Sequence, residues 1–402
     1  MQFLKRGLLI VALLLATGCS FVWRPWSDYS LIDQYRLFHP DYRVENFRRL
    51  DRIFPARPIE ASTTPFRFER DERPLELSYE YKGRSSTLSE FLERAQATGL
   101  LVIRNDRIIH ERYFQGGSAE ATFTSWSIAK SFVGTLVGMA LGDGLIRSLD
   151  DPVTDYLPQL SGSGYDGVPI RHILQMSSGV DFDETYDAQF SDINRFFMKV
   201  FALGRDADAV VADYGKAEPS GQRLHYISID THVLSMLVRK LYGDSLARIV
   251  QQQLWQPLGM EADAFWNIDD EGADANEIAF CCLNATLRDY AKLGRLYLQQ
   301  GVWNGQRLLP EGWVVEATTP QADYLQPGNN PYGGRGYAYH WWVPPDYQRE
   351  YFASGVWGQY IYVSEPDNLI VVRSSADPDF KKHIRETVVV FRAIRDHLRQ
   401  NP

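Results

Sequence analysis

Thr124-Ser125-Trp126-Ser127-Ile128-Ala129-Lys130-Ser131-Phe132 is the stretch on which the reading of the chain turns. A polar approach ends at Ser127, and an apolar run follows to Leu141. Ile128, Phe132, Val133, Leu136, Val137, Ala140 and Leu141 recur at helical spacing, with Gly134 and Gly138 allowing close packing. The pattern predicts a mostly buried helix that opens at Ser127. Residues three apart on a helix share a face, so Lys130 stands one turn on, beside the Ser127 hydroxyl. A serine hydroxyl is a weak nucleophile until a neighbouring base takes its proton. A lysine in apolar surroundings loses hydration, which favours the neutral amine that can accept that proton. The helix N-terminus adds unpaired N–H groups and a positive partial charge, suited to a developing oxyanion. Ser-x-x-Lys is a short motif, and about one chance match is expected at this length. Here it occurs once, at the head of a long apolar helix.

The chain has 402 residues, 45% apolar and 23% charged, which is material for one large domain or two to three ordinary ones. The formal net charge is -9 and there is no basic run, which argues against a nucleic-acid partner. Lys5 and Arg6 precede the apolar run Gly7 to Thr17, and Gly18-Cys19 follows. That order predicts a secretory signal over residues 1–18, too short in its apolar part to span a bilayer. Leu15-Ala16-Thr17-Gly18-Cys19 resembles a bacterial lipobox, with Ala16 where leucine is commoner. The resemblance implies cleavage before Cys19, lipidation of Cys19 and anchoring to a membrane of the bacterial cell envelope. Ser20 then points to the outer membrane, on its periplasmic side. The alternative is an ordinary secreted protein with an incidental cysteine. Only Cys281 and Cys282 remain beyond Cys19. Adjacent cysteines pair only with a strained peptide geometry, so no disulfide framework is expected and both are read as small buried hydrophobes.

Residues 19–86 are rich in aromatics, Arg and Pro without a clear period, and predict an irregular arm wrapped over the main domain. Ser89 to Ala97 reads as a helix capped by Ser89. Leu100 to Arg104 and Ile108 to Phe114 flank Asn105-Asp106, a hairpin signal. Residues 181–274 read as helices and loops, and Asn284 to Leu298 as an amphipathic helix. Tyr337 to Val343, Tyr351 to Ala353, Gln359 to Ser364 and Leu369 to Ser374 read as meander strands, and Lys381 to Leu398 as a closing helix. Strands bracket a helical middle, so the first hairpin and the last strands can share one antiparallel sheet in an α+β fold.

Two further segments matter. Gly221-Gln222-Arg223-Leu224-His225-Tyr226-Ile227-Ser228 follows a Pro-Ser turn and precedes an apolar helix, and Tyr226 could share a proton with Lys130. Ala353-Ser354-Gly355-Val356-Trp357-Gly358-Gln359 puts glycines into a strand, where a ligand or another backbone comes close. With Ser127-Ile128-Ala129-Lys130, in this order, these segments resemble the serine β-lactamase and penicillin-binding superfamily. Within it the chain is most similar to the class C β-lactamase-related hydrolases, including the 6-aminohexanoate-dimer hydrolase group. Ile170 to Gly179, Leu254-Trp255-Gln256-Pro257-Leu258-Gly259-Met260 and Leu283 to Tyr290 extend the likeness over about residues 87–400.

The resemblance implies a β-lactamase/transpeptidase-like fold: an antiparallel sheet flanked by helices (about 87–125 and 284–402) plus an all-helical part (about 126–283). It implies a serine hydrolase acting on an ester or amide small molecule by an acyl-enzyme, with no cofactor. Ser127 would be the nucleophile, Lys130 its general base and Tyr226 the proton donor to the leaving group. Ser228, Ser354 and Gly355 would line the substrate, and the N–H groups of Ser127 and Val356 would form the oxyanion hole.

The third motif of β-lactamases is Lys-Thr-Gly, whereas this chain has Ala353-Ser354-Gly355. Loss of that lysine disfavours penicillins and D-Ala-D-Ala termini and favours uncharged esters or amides; Arg335 and His340 are candidate substitutes for the charge. The aromatics Tyr337, Tyr339, Trp341, Trp342 and Trp357 suggest apolar walls, or sheet core. The alternatives are a non-catalytic envelope lipoprotein using the fold as a binding scaffold, or a true β-lactamase or D,D-peptidase. No Gly-x-Ser-x-Gly or His-Glu-x-x-His occurs, so neither a nucleophile elbow nor a metal site is predicted. Asp181, Asp183 and Glu184 are read as solvated turn residues.

Overall fold

The computed structural model describes residues 29–188 and 190–401. At its centre is an eight-stranded sheet built from β1 (Glu69–Arg70), β2 (Ala97–Arg104), β3 (Arg107–Tyr113), β4 (Gly336–Tyr337), β5 (Trp342–Val343), β6 (Glu350–Gly355), β7 (Gln359–Ser364) and β8 (Leu369–Ser375). The spatial order is β4-β5-β6-β7-β8-β2-β3-β1. All neighbours are antiparallel except the two-residue edge strand β1, which runs parallel to β3. The sequence expectation of a wholly antiparallel sheet therefore fails only at that edge. The β2–β3 hairpin turns on Asn105 and Asp106, with φ of 52° and 61°. That left-handed pair matches the twist of a two-residue hairpin, and short polar residues tolerate it.

Strand alternation sorts the sheet residues into two cores. Leu101, Ile103, Ile361, Val363, Ile370 and Val372 face one cluster, with the helices α1 (Ile128–Gly142) and α3 (Leu287–Leu298). Leu100, Val102, Tyr360, Tyr362 and Val371 face the other, under the C-terminal helix α4 (Phe380–Gln400). Because both faces are covered, β2 is buried along almost its whole length. Against α1 packs α2 (Ser228–Tyr242), which ends at Gly243 with φ of 74°, a left-handed cap suited to glycine. Every residue of α1 from Ile128 to Ala140 is buried, as its apolar periodicity predicts.

A second, four-stranded sheet holds the approach to α1. It orders Ala56–Ile59, Ala264–Asn267, Leu283–Ala285 and Phe123–Thr124 side by side. Residues 29–86 are thus less irregular than their composition suggests. They supply a strand to each sheet and a hairpin, Ser78–Tyr81 with Arg84–Thr87. The following helix is capped by Thr87, not Ser89, because Thr87 and Glu90 exchange reciprocal bonds in a capping box. Asn284 lies in a strand, and α3 opens instead behind Thr286, whose side chain accepts from the Asp289 N–H. The stretch from Tyr337 to Val343 is broken into β4 and β5, with His340 at φ 61° between them. Among the described residues no helix is long and apolar enough to cross a membrane. The signal segment and Cys19 lie outside the described residues.

Close helix packing gives the first test. A Cβ on Gly138 in α1 would stand 2.3 Å from the Trp313 ring. Trp313 is itself buried, so it has little room to yield. Gly138→Ala should lower stability by about 1–3 kcal/mol, read as a reduced Tm in thermal unfolding.

Candidate active site

Ser127 sits where the small sheet hands over to α1. The Ser125 N–H donates to the Leu283 carbonyl at 2.7 Å, which fixes the strand end. Trp126 then takes φ of 42°, a left-handed conformation rare for a large side chain, and turns the chain into the helix. Ser127 follows as the N-cap residue, with no hydrogen bond from its side chain to the helix N–H groups. Its hydroxyl is left for other partners.

Lys130 is one of them. Its Nζ donates to Ser127 Oγ at 2.9 Å and to the Phe280 carbonyl at 2.9 Å. The amine also lies 5.1 Å from the Tyr226 ring centre and 5.4 Å from that of Phe280. Burial lowers the Lys130 ammonium to about 7, with the Glu184 carboxylate opposing the change. Such an amine is largely neutral just above neutrality and can take the proton of the hydroxyl it touches.

Tyr226 completes the cluster. Its hydroxyl is hydrogen-bonded to Ser127, which partly offsets the upward push of burial on the phenol. Its position is set by the Tyr332 hydroxyl, which accepts the Tyr226 N–H at 2.8 Å, and by stacking on Trp342 at 5.5 Å. Ser228 opens α2 two residues later, but its hydroxyl donates to Glu184. Glu184 also accepts the Ser228 N–H at 2.9 Å and the Tyr186 hydroxyl at 2.6 Å. The solvated reading of Glu184 is therefore wrong: burial raises its carboxyl, and the Lys130 amine opposes this. Its partners come from α2 and from its own loop, a convergence that the spacing of residues along the chain does not reveal.

The end of β6 closes the site from the sheet side. A Cβ on Gly355 would fall 2.5 Å from the Ser125 carbonyl and 3.1 Å from the Ser127 nitrogen, so only glycine allows this approach. Val356 follows at the strand end, and Trp357 has φ of 63°. Ser354 is partly exposed and Ala353 fully buried. Neither proposed substitute for the missing lysine lines the cleft beside Ser127. His340 is buried, donates from or accepts at Nδ1 with the Tyr337 hydroxyl at 3.1 Å, and burial lowers it to about 3. It is neutral at any ordinary pH. Arg335 is buried, with its guanidinium 4.0 Å from the Trp342 ring centre. Tyr337, Tyr339, Trp341 and Trp342 are sheet core, and only Trp357 of the aromatic set faces the cleft.

That cleft measures about 520 Å³. Cys281 and Cys282 line it, and they are bonded to each other. The expectation of two free buried thiols is corrected: both side chains are buried, and the chain turns here with Cys282 at φ 72°, a backbone that places the two sulfurs together. Lys381 on α4 also lines the cleft and pairs with Asp187 at 2.8 Å. Neither carried a signal in the sequence beyond an ordinary surface charge. Among the described residues no group of His, Cys, Asp and Glu is arranged to hold a metal ion.

The sheet and the helices on its two faces are those of β-lactamase and transpeptidase-like proteins. Residues 85–391 match the Beta-lactamase family, and the chain belongs to it. It is 27% identical over 305 residues to the 6-aminohexanoate-dimer hydrolase of Paenarthrobacter ureafaciens, spanning 73% of this chain and 76% of that protein. A solved structure of a Bacillus anthracis protein, provisionally named a 6-aminohexanoate-dimer hydrolase, superposes with a TM-score of 0.81 at 22% identity, covering 90% of this chain and 96% of that one. The penicillin-binding protein homologue of Pyrococcus abyssi shares the fold at a TM-score of 0.55 and 18% identity, over 75% of this chain and 76% of that one. These likenesses place the chain among the hydrolases of the family.

The contact at Gly355 yields a direct test of the site's geometry. Gly355→Ala should push the strand end away from Ser127 and reduce kcat/KM on any accepted substrate by at least about tenfold, since small misplacements are costly at reacting atoms. Steady-state kinetics check this, alongside a thermal melt to show that the fold persists.

Proposed function

We propose that the protein is a serine hydrolase that cleaves an ester or amide through an acyl-enzyme on Ser127. The observation that carries this is the buried Lys130 amine, 2.9 Å from Ser127 Oγ and held down to about 7. In the proposed reaction Ser127 Oγ attacks the substrate carbonyl carbon while its proton passes to Lys130. The carbonyl oxygen becomes an anion facing the N–H groups of Ser127 and Val356, each such donor being worth about 3–4 kcal/mol at a transition state. The bond to the leaving group then breaks. The leaving group takes a proton from Tyr226, and Lys130 returns one to the phenol. Water attacks the resulting ester by the reverse proton route, releasing the acid and free Ser127. Ala353 in the third motif leaves no cation for a substrate carboxylate there, and a buried unpaired charge is costly. Uncharged esters and amides are therefore favoured over penicillins and D-Ala-D-Ala peptides.

A fluorophosphonate probe should add to Ser127 and to no other residue, as peptide mass mapping would show; absence of any adduct would favour a non-catalytic scaffold. Lys130→Ala and Ser127→Ala should each remove nearly all turnover, and the double variant should lose little more, because the groups act as a unit.

The pH dependence follows from Lys130. Neutral amine is the active form, so kcat/KM should rise as pH increases through about 7. The Glu184 carboxylate raises the Lys130 ammonium. Removing that charge in Glu184→Gln should therefore move the rising limb to lower pH. A limb that stays in place, or moves to higher pH, contradicts this account of the base.

We also propose that Cys19 carries a lipid anchor in the bacterial envelope, from the Leu15-Ala16-Thr17-Gly18-Cys19 pattern. Stable anchoring needs more than one acyl chain. Cys19→Ser should release the protein from membranes with hydrolase activity intact. The mass of the mature N-terminus decides the matter, and a start anywhere but Cys19 overturns it.

A further inference from the structure

The cleft beside Ser127 is lined mostly by aromatic and other apolar side chains, and much of one wall comes from residues 34–54, ahead of the region matched to the family. Phe38 spans the entrance to the reacting atoms. Its ring stacks on Trp357 at 5.6 Å and 9°, and on Trp126 at 5.7 Å and 29°. Those two tryptophans flank the chain at Val356 and at Ser127, so Phe38 bridges the segments that carry both proposed oxyanion donors. The arm is tied down behind it: Leu37 and Phe47 are buried, and Arg43 Nε donates to the Ala376 carbonyl at 3.0 Å.

The facing wall is a run of contacting rings. Phe280, whose carbonyl accepts from Lys130, meets Phe197 at 5.8 Å. Phe197 stacks on Phe201 at 6.1 Å, and Phe201 meets Phe54 of the arm at 4.5 Å. The side-chain amide N–H groups of both asparagines on these walls are bonded within the protein. Asn194 Nδ2 donates to the Tyr186 and Ala188 carbonyls, and Asn267 Nδ2 to those of Leu50, Phe54 and Pro55. The charges present, Asp187 and Lys381, form an exposed ion pair at 2.8 Å. Beyond the reacting groups, most of the surface the cleft offers a chain of carbon atoms is apolar.

We propose that this cleft is an acyl-chain site, and that the substrate is an ester or amide of an unbranched, medium-length aliphatic acid. The inference rests on the hydrolase reading of Ser127 and adds the substrate class. The assignment to the acyl rather than the leaving-group side comes from Tyr226. Ser127 and Val356 line the cleft, whereas Tyr226, which protonates the leaving group, does not. The leaving group departs on the Tyr226 side, and the chain attached to the carbonyl extends between Phe38 and Phe201. Phe38 acts here as a specificity-determining residue.

The test uses the full chain and p-nitrophenyl esters of acetate, butyrate, hexanoate, octanoate and decanoate, below their aggregation limits. Transfer of a methylene into an apolar site corresponds to about fourfold in kcat/KM. The ratio of octanoate to acetate should therefore reach at least about thirtyfold, allowing for incomplete burial of the chain. Phe38→Ala and Phe201→Ser should each reduce that ratio at least fivefold, and Phe201→Leu should restore most of it. Labelling of Ser127 by the fluorophosphonate probe reports on the hydrolase reading by itself. Intact labelling with a flat chain-length profile overturns the acyl site alone. Binding without turnover gives a second measure. In Ser127→Ala, titration calorimetry with butanamide, hexanamide and octanamide should show Kd falling with length, and equal or undetectable binding along that series also overturns the proposal.

Discussion

The site depends on one placement: a buried amine, held against a hydroxyl by a backbone carbonyl. Lys130 has the Phe280 carbonyl and Ser127 Oγ as its hydrogen-bond acceptors, and it is buried. Burial without a carboxylate directly bonded to it is what lowers its hold on the proton. An ion pair at contact distance would hold the ammonium charged, and a solvated lysine would stay charged near neutrality. Glu184 is close enough to oppose the shift, but it is bonded to Ser228 and Tyr186 instead. The arrangement keeps a carboxyl group in the neighbourhood without bonding it to the amine.

Much of the surrounding structure serves to hold three short segments within reach of one another. The small sheet delivers Ser125 to the start of α1, the large sheet delivers Gly355 and Val356 from the far side, and the turn before α2 delivers Tyr226. The close approach of Gly355 to the Ser127 nitrogen requires that β6 end where it does. Left-handed backbone at Trp126 and Trp357 marks the two places where the chain bends sharply around the site. Non-glycine residues rarely adopt it unless their surroundings hold them there. Here the surroundings include the ring of Phe38, from the arm that precedes the family-matched region.

The arm lies ahead of the family-matched region and helps to build the cleft. It lends strands to both sheets and then supplies apolar surface opposite Phe197, Phe201 and Phe280. Ala353 stands where the third motif of β-lactamases has a lysine, and much of the cleft wall is aromatic. Charged groups lose hydration in such a cleft and aliphatic ones lose only contact with water.

The helix at Ser127, the Ser127–Lys130 spacing, the hairpin at Asn105-Asp106 and the late strands can all be read from the residues alone. Each is written in a local period or a fixed offset, and local geometry carries it. The departure at Ala353 was legible for the same reason, as one residue in a recognisable order. Tertiary structure decided what local pattern does not encode. Glu184 and Asp183 are neighbours in the chain, yet only Glu184 is drawn in against Ser228 and Lys130. Arg335 and His340 looked like replacement cations, but the sheet buries both away from the cleft. Cys281 and Cys282 joined because the turn at that point brings their sulfurs together. The arm's role was invisible because its residues have no period of their own: they take their order from the surface they cover, and that surface exists only once the rest of the chain has folded.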